Sequence, residues 1–370
     1  MKIVLAVSSM QAGGAERVAA TLANAWSARG DHVTLLPTFS GGGTCFYPLS
    51  DEVELLWLAD EVPARGLWGA FKRLLGLRRL IRERRPDVVV SFLTNVNVAA
   101  ILATRGLGVP LIVCERTNPA VETNTSQVWR RLRRWLYPRA EIVTVQAEAT
   151  VAPFAAQVPG LKDLAVIPNP LPPELLDAPH APLAPDAQGR RRLCAMGRLV
   201  PDKQFDLLID VFADLAARHP DWDLWIWGEG PQREALQARI DGLGLASRVS
   251  LPGRTDAPWE ALSQASAFVL CSAVEGFPNV LLEAMSLGLP CVAFDCPSGP
   301  REMSRGGQDA LLVPAADRQA LGESLERVMG DAALRASLGA QGAASVRRRY
   351  ALPAVLAEWD TLIARAQRKR

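Results

Sequence analysis

No apolar run in this chain approaches the roughly 20 residues that a bilayer-spanning helix requires, so any membrane contact is expected to be peripheral. Histidine is scarce. His32, His180 and His219 are the only three. They form no ligand spacing, so neither a metal site nor a histidine-based nucleophile system is visible. The six cysteines, Cys45, Cys114, Cys194, Cys271, Cys291 and Cys296, include no C-x-x-C pair. Most fall in expected strands and read as buried, reduced thiols of a cytosolic protein. The formal net charge is only +2, which predicts no nucleic-acid partner. The N-terminus carries one lysine and a short apolar run ending at Ser8-Ser9, and it reads as a first β-strand, not a signal peptide.

What is present is apolar residues and local charge. At 370 residues and 49% hydrophobic content, the chain suits two domains, each with a full core. Between Arg65 and Arg85 there are eight basic residues and one acid, Glu83. Between Trp129 and Arg139 there are five arginines and no acid. The rest of the chain is therefore net acidic.

Short apolar runs alternate with helical patterns. Strands are expected at Lys2–Ser8, Val33–Pro37, Val53–Leu58, Asp87–Phe92, Leu111–Cys114 and Ile142–Val145, with a helix at about Glu16–Arg29. From Pro168 to Gly189 prolines crowd the chain (Pro168, Pro170, Pro172, Pro173, Pro179, Pro182, Pro185) and no hydrophobic period survives, as in a linker. The alternation restarts with strands at Arg192–Gly197, Leu224–Trp227, Val249–Leu251, Phe268–Cys271 and Cys291–Phe294. Helices are expected at about Phe205–Arg218, Pro231–Gly242, Val280–Leu287 and Arg318–Met329. This rhythm predicts α/β architecture with doubly wound parallel sheets. The expected boundaries are an N-terminal domain over 1–168, a linker over 169–189 and a C-terminal domain over 190–350.

The richest stretch is Glu275-Gly-Phe-Pro-Asn-Val-Leu-Leu-Glu283. Pro278 and Asn279 suit a helix start. Glu275 then lies in the loop before the helix and Glu283 one to two turns inside it. The first-turn N–H groups face the gap between them and attract phosphate, while carboxylates accept hydrogen bonds from hydroxyls. That combination suits a sugar nucleotide, with Glu275 toward the sugar and Glu283 toward the ribose. Arg198 and Lys203 follow a strand ending in Gly197, where two cations neutralise a diphosphate leaving group as its charge develops. Gly13-Gly14 follows the first strand and opens a helix, which suits a phosphate or acceptor loop. A dinucleotide fingerprint needs G-x-G-x-x-G and an acid after the second strand, whereas that strand ends Pro37-Thr-Phe-Ser40. Each of these also has a bland reading, as a structural turn or as solvated surface charge.

Glu275 to Glu283 resembles the E-x7-E motif of retaining glycosyltransferases of the GT-B fold, especially glycosyltransferase family 4. Gly13-Gly14-Ala15-Glu16 is similar to that family's glycine loop, and Gly197-Arg198-Leu199 with Lys203 to its diphosphate clamp. The resemblance spans nearly the whole chain and is greatest to bacterial enzymes that add N-acetylhexosamine to lipid-linked oligosaccharides. It implies two Rossmann-like domains with the active site in the cleft between them, and a last helix, here 351–370, crossing back to the first domain. It implies that the backbone of Phe277, Pro278, Asn279 and Val280 holds the diphosphate and sugar, that Gly14 belongs with the donor site, and that Arg254 lies by the base. No resident cofactor or metal is implied, since the two cations do a metal's work, with a UDP-sugar as co-substrate. The family usually places Gly after the clamp lysine, where this chain has Gln204. Many relatives place an acceptor-facing histidine after a mid-domain strand. Here the segment is Cys114-Glu115-Arg116-Thr117-Asn118, so Glu115 or Arg116, beside Gly13, becomes the acceptor candidate.

Asp221-Trp222-Asp223 spells D-x-D, a metal-binding motif of another glycosyltransferase fold, but it precedes its strand and reads as a structural loop. Trp68, Phe71, Leu74, Leu75, Leu77 and Ile81 are interleaved with Lys72, Arg73, Arg78, Arg79 and Arg82. Trp129, Leu132, Trp135 and Leu136 are interleaved with Arg130, Arg131, Arg133 and Arg134. Such stretches favour an anionic membrane surface, or else pack their apolar faces on a sheet. The whole reads as a cytoplasmic enzyme, peripheral on the inner face of the cytoplasmic membrane, passing a sugar to a polyprenyl-diphosphate-linked or other lipid-linked glycan. The alternatives are a UDP-hexosamine epimerase and a non-catalytic membrane adaptor.

Overall fold

The computed structural model describes residues 1–39, 45–63, 66–116, 118, 126–181 and 185–369. Ser40, Arg65, Thr117 and Pro182, named above, lie outside them. The chain forms two compact units, Met1–Pro170 with Pro353–Arg370, and Leu171–Leu352.

In the first unit the strands are β1 (Lys2–Val7), β2 (His32–Pro37), β3 (Glu54–Leu55), β4 (Val88–Phe92), β5 (Leu111–Cys114), β6 (Ile142–Val145) and β7 (Leu164–Val166). They form one parallel sheet in the order β3-β2-β1-β4-β5-β6-β7. Burial on both faces explains why the central strands read as unbroken apolar runs, as in Val88-Val-Val-Ser-Phe92, which is buried throughout. β3 is shorter than Val53–Leu58 suggested, and β7 is an edge strand of three partly buried residues with too little pattern to stand out. The closing helix Leu352–Arg368 joins this unit. Val355, Trp359, Leu362 and Ile363 enter its core, and Trp359 meets Trp26 edge-to-face with ring centroids 5.6 Å apart.

The second unit holds β8 (Arg191–Met196), β9 (Trp222–Trp227), β10 (Val249–Gly253), β11 (Ala267–Leu270), β12 (Cys291–Asp295) and β13 (Leu311–Pro314). These are parallel in the order β10-β9-β8-β11-β12-β13. The proline-rich segment lies against this unit over 171–181. Leu171, Leu175 and Ala181 are buried, and the amides of Leu171 and Ala181 donate to the carbonyls of Tyr350 and Leu287, each at 2.7 Å. Single anchors spaced by prolines leave no period to read. Asp223 pairs with Arg190 and with Arg248 (3.1 Å), and Asp221 pairs with Arg191, so D-x-D at the amino end of β9 is an internal ion-pair cluster.

Five cysteines are buried and Cys45 is partly exposed. Burial pushes the Cys114 thiol up to about 11 and those of Cys194, Cys271 and Cys296 up to about 12. A thiol reagent at pH 8 is therefore expected to titrate Cys45 quickly and the others only on unfolding, because their thiolate fraction is about one part in a thousand or less. Prompt reaction of several thiols in the native protein would contradict this burial. Trp359→Ala is expected to destabilise the first unit by about 3–5 kcal/mol in a denaturant titration, because it empties a core site opposite Trp26.

Candidate active site

The donor candidates gather at the carboxyl edge of the second sheet, where open α/β sheets bind ligands. Arg198 follows β8, Arg254 follows β10, and Glu275 follows β11, the neighbour of β8. A short turn, Pro201–Lys203, carries the chain from β8 toward β11. It is fastened there by Ala273 N–H donating to Asp202 O (2.8 Å) and by Cys271 Sγ donating to Lys203 O (3.1 Å). Lys203 Nζ thereby reaches Glu275 Oε1 at 2.5 Å, with both side chains largely buried. The ammonium has three donors, so it holds the carboxylate and still has protons for a second acceptor. Gln204, which replaces the family's glycine, sits in the left-handed region at φ 50°, and its Oε1 is buried without a partner.

Two glycine contacts shape this edge. Gly228, at φ +141°, follows β9, and a Cβ there would lie 1.8 Å from the carbonyl oxygen of Gly197. Only glycine lets the loop after β9 press against the loop carrying Arg198. Gly299, at φ +101°, lies the same way against Pro278, where a Cβ would stand 2.5 Å from Cδ. Pro278 caps the helix Asn279–Ser286 without a side-chain hydrogen bond, so Asn279 is the first helical residue and not the cap. Phe277 stacks edge-on with Tyr350 at 5.9 Å, and Val280 packs into the same core. Glu283 is 2% exposed, and its Oε2 accepts from Trp259 Nε1 at 3.2 Å. The partners Trp259, Gly299 and Tyr350 come from distant chain positions and carry no local sequence signal. Arg254 stands exposed beyond β10.

The remaining candidates belong to the first unit. Gly13 and Gly14 open the helix Gly14–Ala28 after β1. Tyr47 holds the turn, its hydroxyl accepting from Gly13 N–H (3.1 Å) and donating to Gly13 O (2.9 Å). The Glu16 carboxylate folds back over Gly13, where a Cβ would meet Oε2 at 2.2 Å, and accepts from Ser9 Oγ at 2.9 Å. The chain's own carboxylate thus already stands at this positive helix end. Glu115 does not offer itself to solvent. It is 2% exposed and accepts from Tyr137 Oη (2.9 Å) and Thr94 Oγ1 (2.8 Å), with Arg133 Nη1 at 3.5 Å. Arg116 lies on the Phe92 ring, 3.6 Å from its centroid, and donates to Asn169 Oδ1.

Both basic stretches are helical, over Gly66–Arg84 and Gln127–Leu136. Their apolar residues divide. Leu77 and Ile81 are in the core, whereas Trp68 (78%), Phe71 and Leu75 are exposed on the first helix, as are Val128 and Trp135 (71%) on the second. Arg133 corrects the expectation for its stretch. It is 1% exposed and points inward to Glu115, so it has no part in a surface charge. Among the described residues no helix is long and apolar enough to cross a membrane.

Comparison with known proteins matches this division. The Glycosyl transferase 4-like domain matches residues 13–170, and the Glycosyl transferases group 1 domain matches residues 184–345. The GalNAc-alpha-(1->4)-GalNAc-alpha-(1->3)-diNAcBac-PP-undecaprenol alpha-1,4-N-acetyl-D-galactosaminyltransferase of Campylobacter jejuni is 28% identical over 98% of this chain and 98% of its own. An exopolysaccharide phosphotransferase of Streptomyces coelicolor is 44% identical over 45% of this chain, a match that spans only 18% of that protein. Among solved structures, Anabaena HepE in complex with UDP and glucose superposes with a TM-score of 0.83 at 20% identity, over 98% of this chain and 99% of its own, a likeness of fold. The chain is thus a glycosyltransferase of the GT-B fold, a Glycosyl transferase 4-like domain followed by a Glycosyl transferases group 1 domain.

Proposed function

We propose that this protein is a retaining family 4 glycosyltransferase that moves a sugar, in our reading an N-acetylhexosamine, from a UDP-sugar to a lipid-linked glycan during cell-surface glycan biosynthesis. The observation that carries this reading is the Lys203–Glu275 pair held at the carboxyl edge of the second sheet beside the start of the helix Asn279–Ser286. The printed activity of the Campylobacter relative, transfer to an undecaprenol-diphosphate-linked glycan, supports the acceptor class.

In this reading Arg198 and Lys203 neutralise the diphosphate, with no metal required, and the backbone from Phe277 to Val280 receives its oxygens. Glu275 accepts hydroxyls of the donor sugar while Lys203 holds it in place. Glu283 takes the ribose hydroxyls, exchanging the Trp259 indole for them, and Arg254 lies toward the base. Gly13 and Gly14 are the ligand-facing turn of the first unit in this reading, Gly14 assigned to the donor and Gly13 to the acceptor. The acceptor oxygen bonds to the anomeric carbon on the face from which UDP departs. The bond from that carbon to the phosphate oxygen breaks with its electron pair going to oxygen, and the leaving phosphate takes the acceptor proton. The products are the glycoside and UDP, with configuration retained. Trp68, Phe71, Leu75 and Trp135, set among arginines and lysines, would rest the first unit on an anionic cytoplasmic membrane face.

Lys203→Ala is expected to lower the transfer rate by about 100-fold or more, since contacts to developing oxyanion charge carry effects of that size. A rate within about threefold of wild type would refute the clamp. Replacing Trp68 and Trp135 together by Ala is expected to weaken binding to phosphatidylglycerol vesicles about tenfold or more, with wild-type binding falling as salt rises. Unchanged partition would refute the membrane role of these helices.

A further inference from the structure

Four adjacent strands of the first sheet, β4 to β7, end around one guanidinium. Phe92 closes β4 and gives Arg116 an aromatic face at 3.6 Å. Arg116 itself lies two residues beyond β5. Gln146 follows β6 directly, and Asn169 lies three residues beyond β7. Asn169 Oδ1 accepts from Arg116 Nη1. With the Gln146 amide turned so that donors face acceptors, its oxygen accepts from the same nitrogen at 3.1 Å and its nitrogen donates to the Arg116 carbonyl at 3.2 Å. Asn169 and Gln146 are both buried, at 3% and 8% exposure.

Every acceptor in this cradle is neutral. Among the described residues no carboxylate forms an ion pair with Arg116, and its Nε is buried with no partner. Glu115, its chain neighbour, is committed to Tyr137, Thr94 and Arg133. Among the described residues, Glu115 is the carboxylate paired with Arg133, and none is paired with Arg116. Burial lowers the Arg116 pKa from 12.5 to about 10, the sign of a charged form short of compensation. A buried cation without a counter-charge is costly, and an anion bound at this site would offset that cost. Arg116 is only partly enclosed, so a ligand can reach it.

We propose that Arg116 is the centre of an anion subsite at the carboxyl edge of the first sheet, built to take a phosphate or carboxylate group carried by the acceptor. Phe92, Gln146 and Asn169 are positioning residues that hold the guanidinium plane through its face and Nη1, and the anion would take the part of the group that they leave uncommitted. The chemistry fits two sources, the diphosphate of a lipid carrier or the carboxylate of an acidic sugar. The proposal rests on the reading of the first unit as the acceptor side of a glycosyltransferase.

The test is calorimetric titration of the full chain, first with UDP and then, with UDP saturating to fill the donor clamp, with inorganic pyrophosphate, with glucuronate and with neutral glucose at constant ionic strength. Wild type is expected to bind pyrophosphate or glucuronate saturably. Arg116→Gln is expected to weaken that binding about tenfold or more, as loss of a charge-assisted fork implies. Arg116→Lys keeps the charge without the fork or the stacking and is expected to fall between, which keeps the test open should the glutamine variant fail to fold. A response to pyrophosphate assigns the subsite to a carrier diphosphate, and a response to glucuronate alone assigns it to an acidic sugar. No anion binding by wild type, or equal binding by wild type and both variants, would overturn the proposal. Failure of UDP to bind would instead count against the donor reading, and the Arg116 comparison would then be read without it.

Discussion

The second unit turns on one ion pair. Lys203 and Glu275 stand 72 positions apart in the chain, yet their charged atoms are 2.5 Å apart because β8 and β11 are neighbours in the sheet. The turn after β8 is tied to the loop after β11 by Ala273 and Cys271, and the loops after β8 and β9 touch at a glycine. Those constraints fix a cation and a carboxylate side by side, so that in the proposed reading neither has to be ordered during the reaction. The pair also gives both side chains a fixed direction.

The first unit answers with the opposite charge arrangement. Its carboxylate, Glu115, is consumed inside the fold by Tyr137, Thr94 and Arg133, and a second guanidinium, Arg116, is left among neutral amides and an aromatic ring. Both units place their unusual polar groups where parallel strands end, the edge at which helix starts and loop amides converge.

Much of this was legible in the sequence. Buried parallel strands such as Val88–Phe92 and Cys291–Asp295 announce themselves as short apolar runs, because burial on both faces removes polar alternation. Glu275 and Lys203 stand out in the sequence as charged residues in loops between apolar elements, and the fold brings the two together. What stayed hidden depends on tertiary packing. Trp259 meets Glu283 and Tyr350 meets Phe277 only once the chain folds. Arg133 sits among exposed arginines of one helix, and nothing in its neighbours says that it alone turns inward. β7 and β13 are edge strands and only partly buried, so they lack the fully buried apolar run that marks the central strands. Glu16 folding over Gly13 needed the backbone geometry of the turn.

The central claim is that the second unit is a uridine diphosphate site built around Lys203, Glu275 and Glu283. The most direct measurement is thermal stability of wild type and Glu283→Ala with UDP, GDP or NAD. A ligand at 100 times its dissociation constant adds about 2.7 kcal/mol of stability. The account predicts stabilisation of wild type by UDP alone and a weaker response in Glu283→Ala. Stabilisation by GDP or NAD instead, or no response to any nucleotide at saturation, would contradict it.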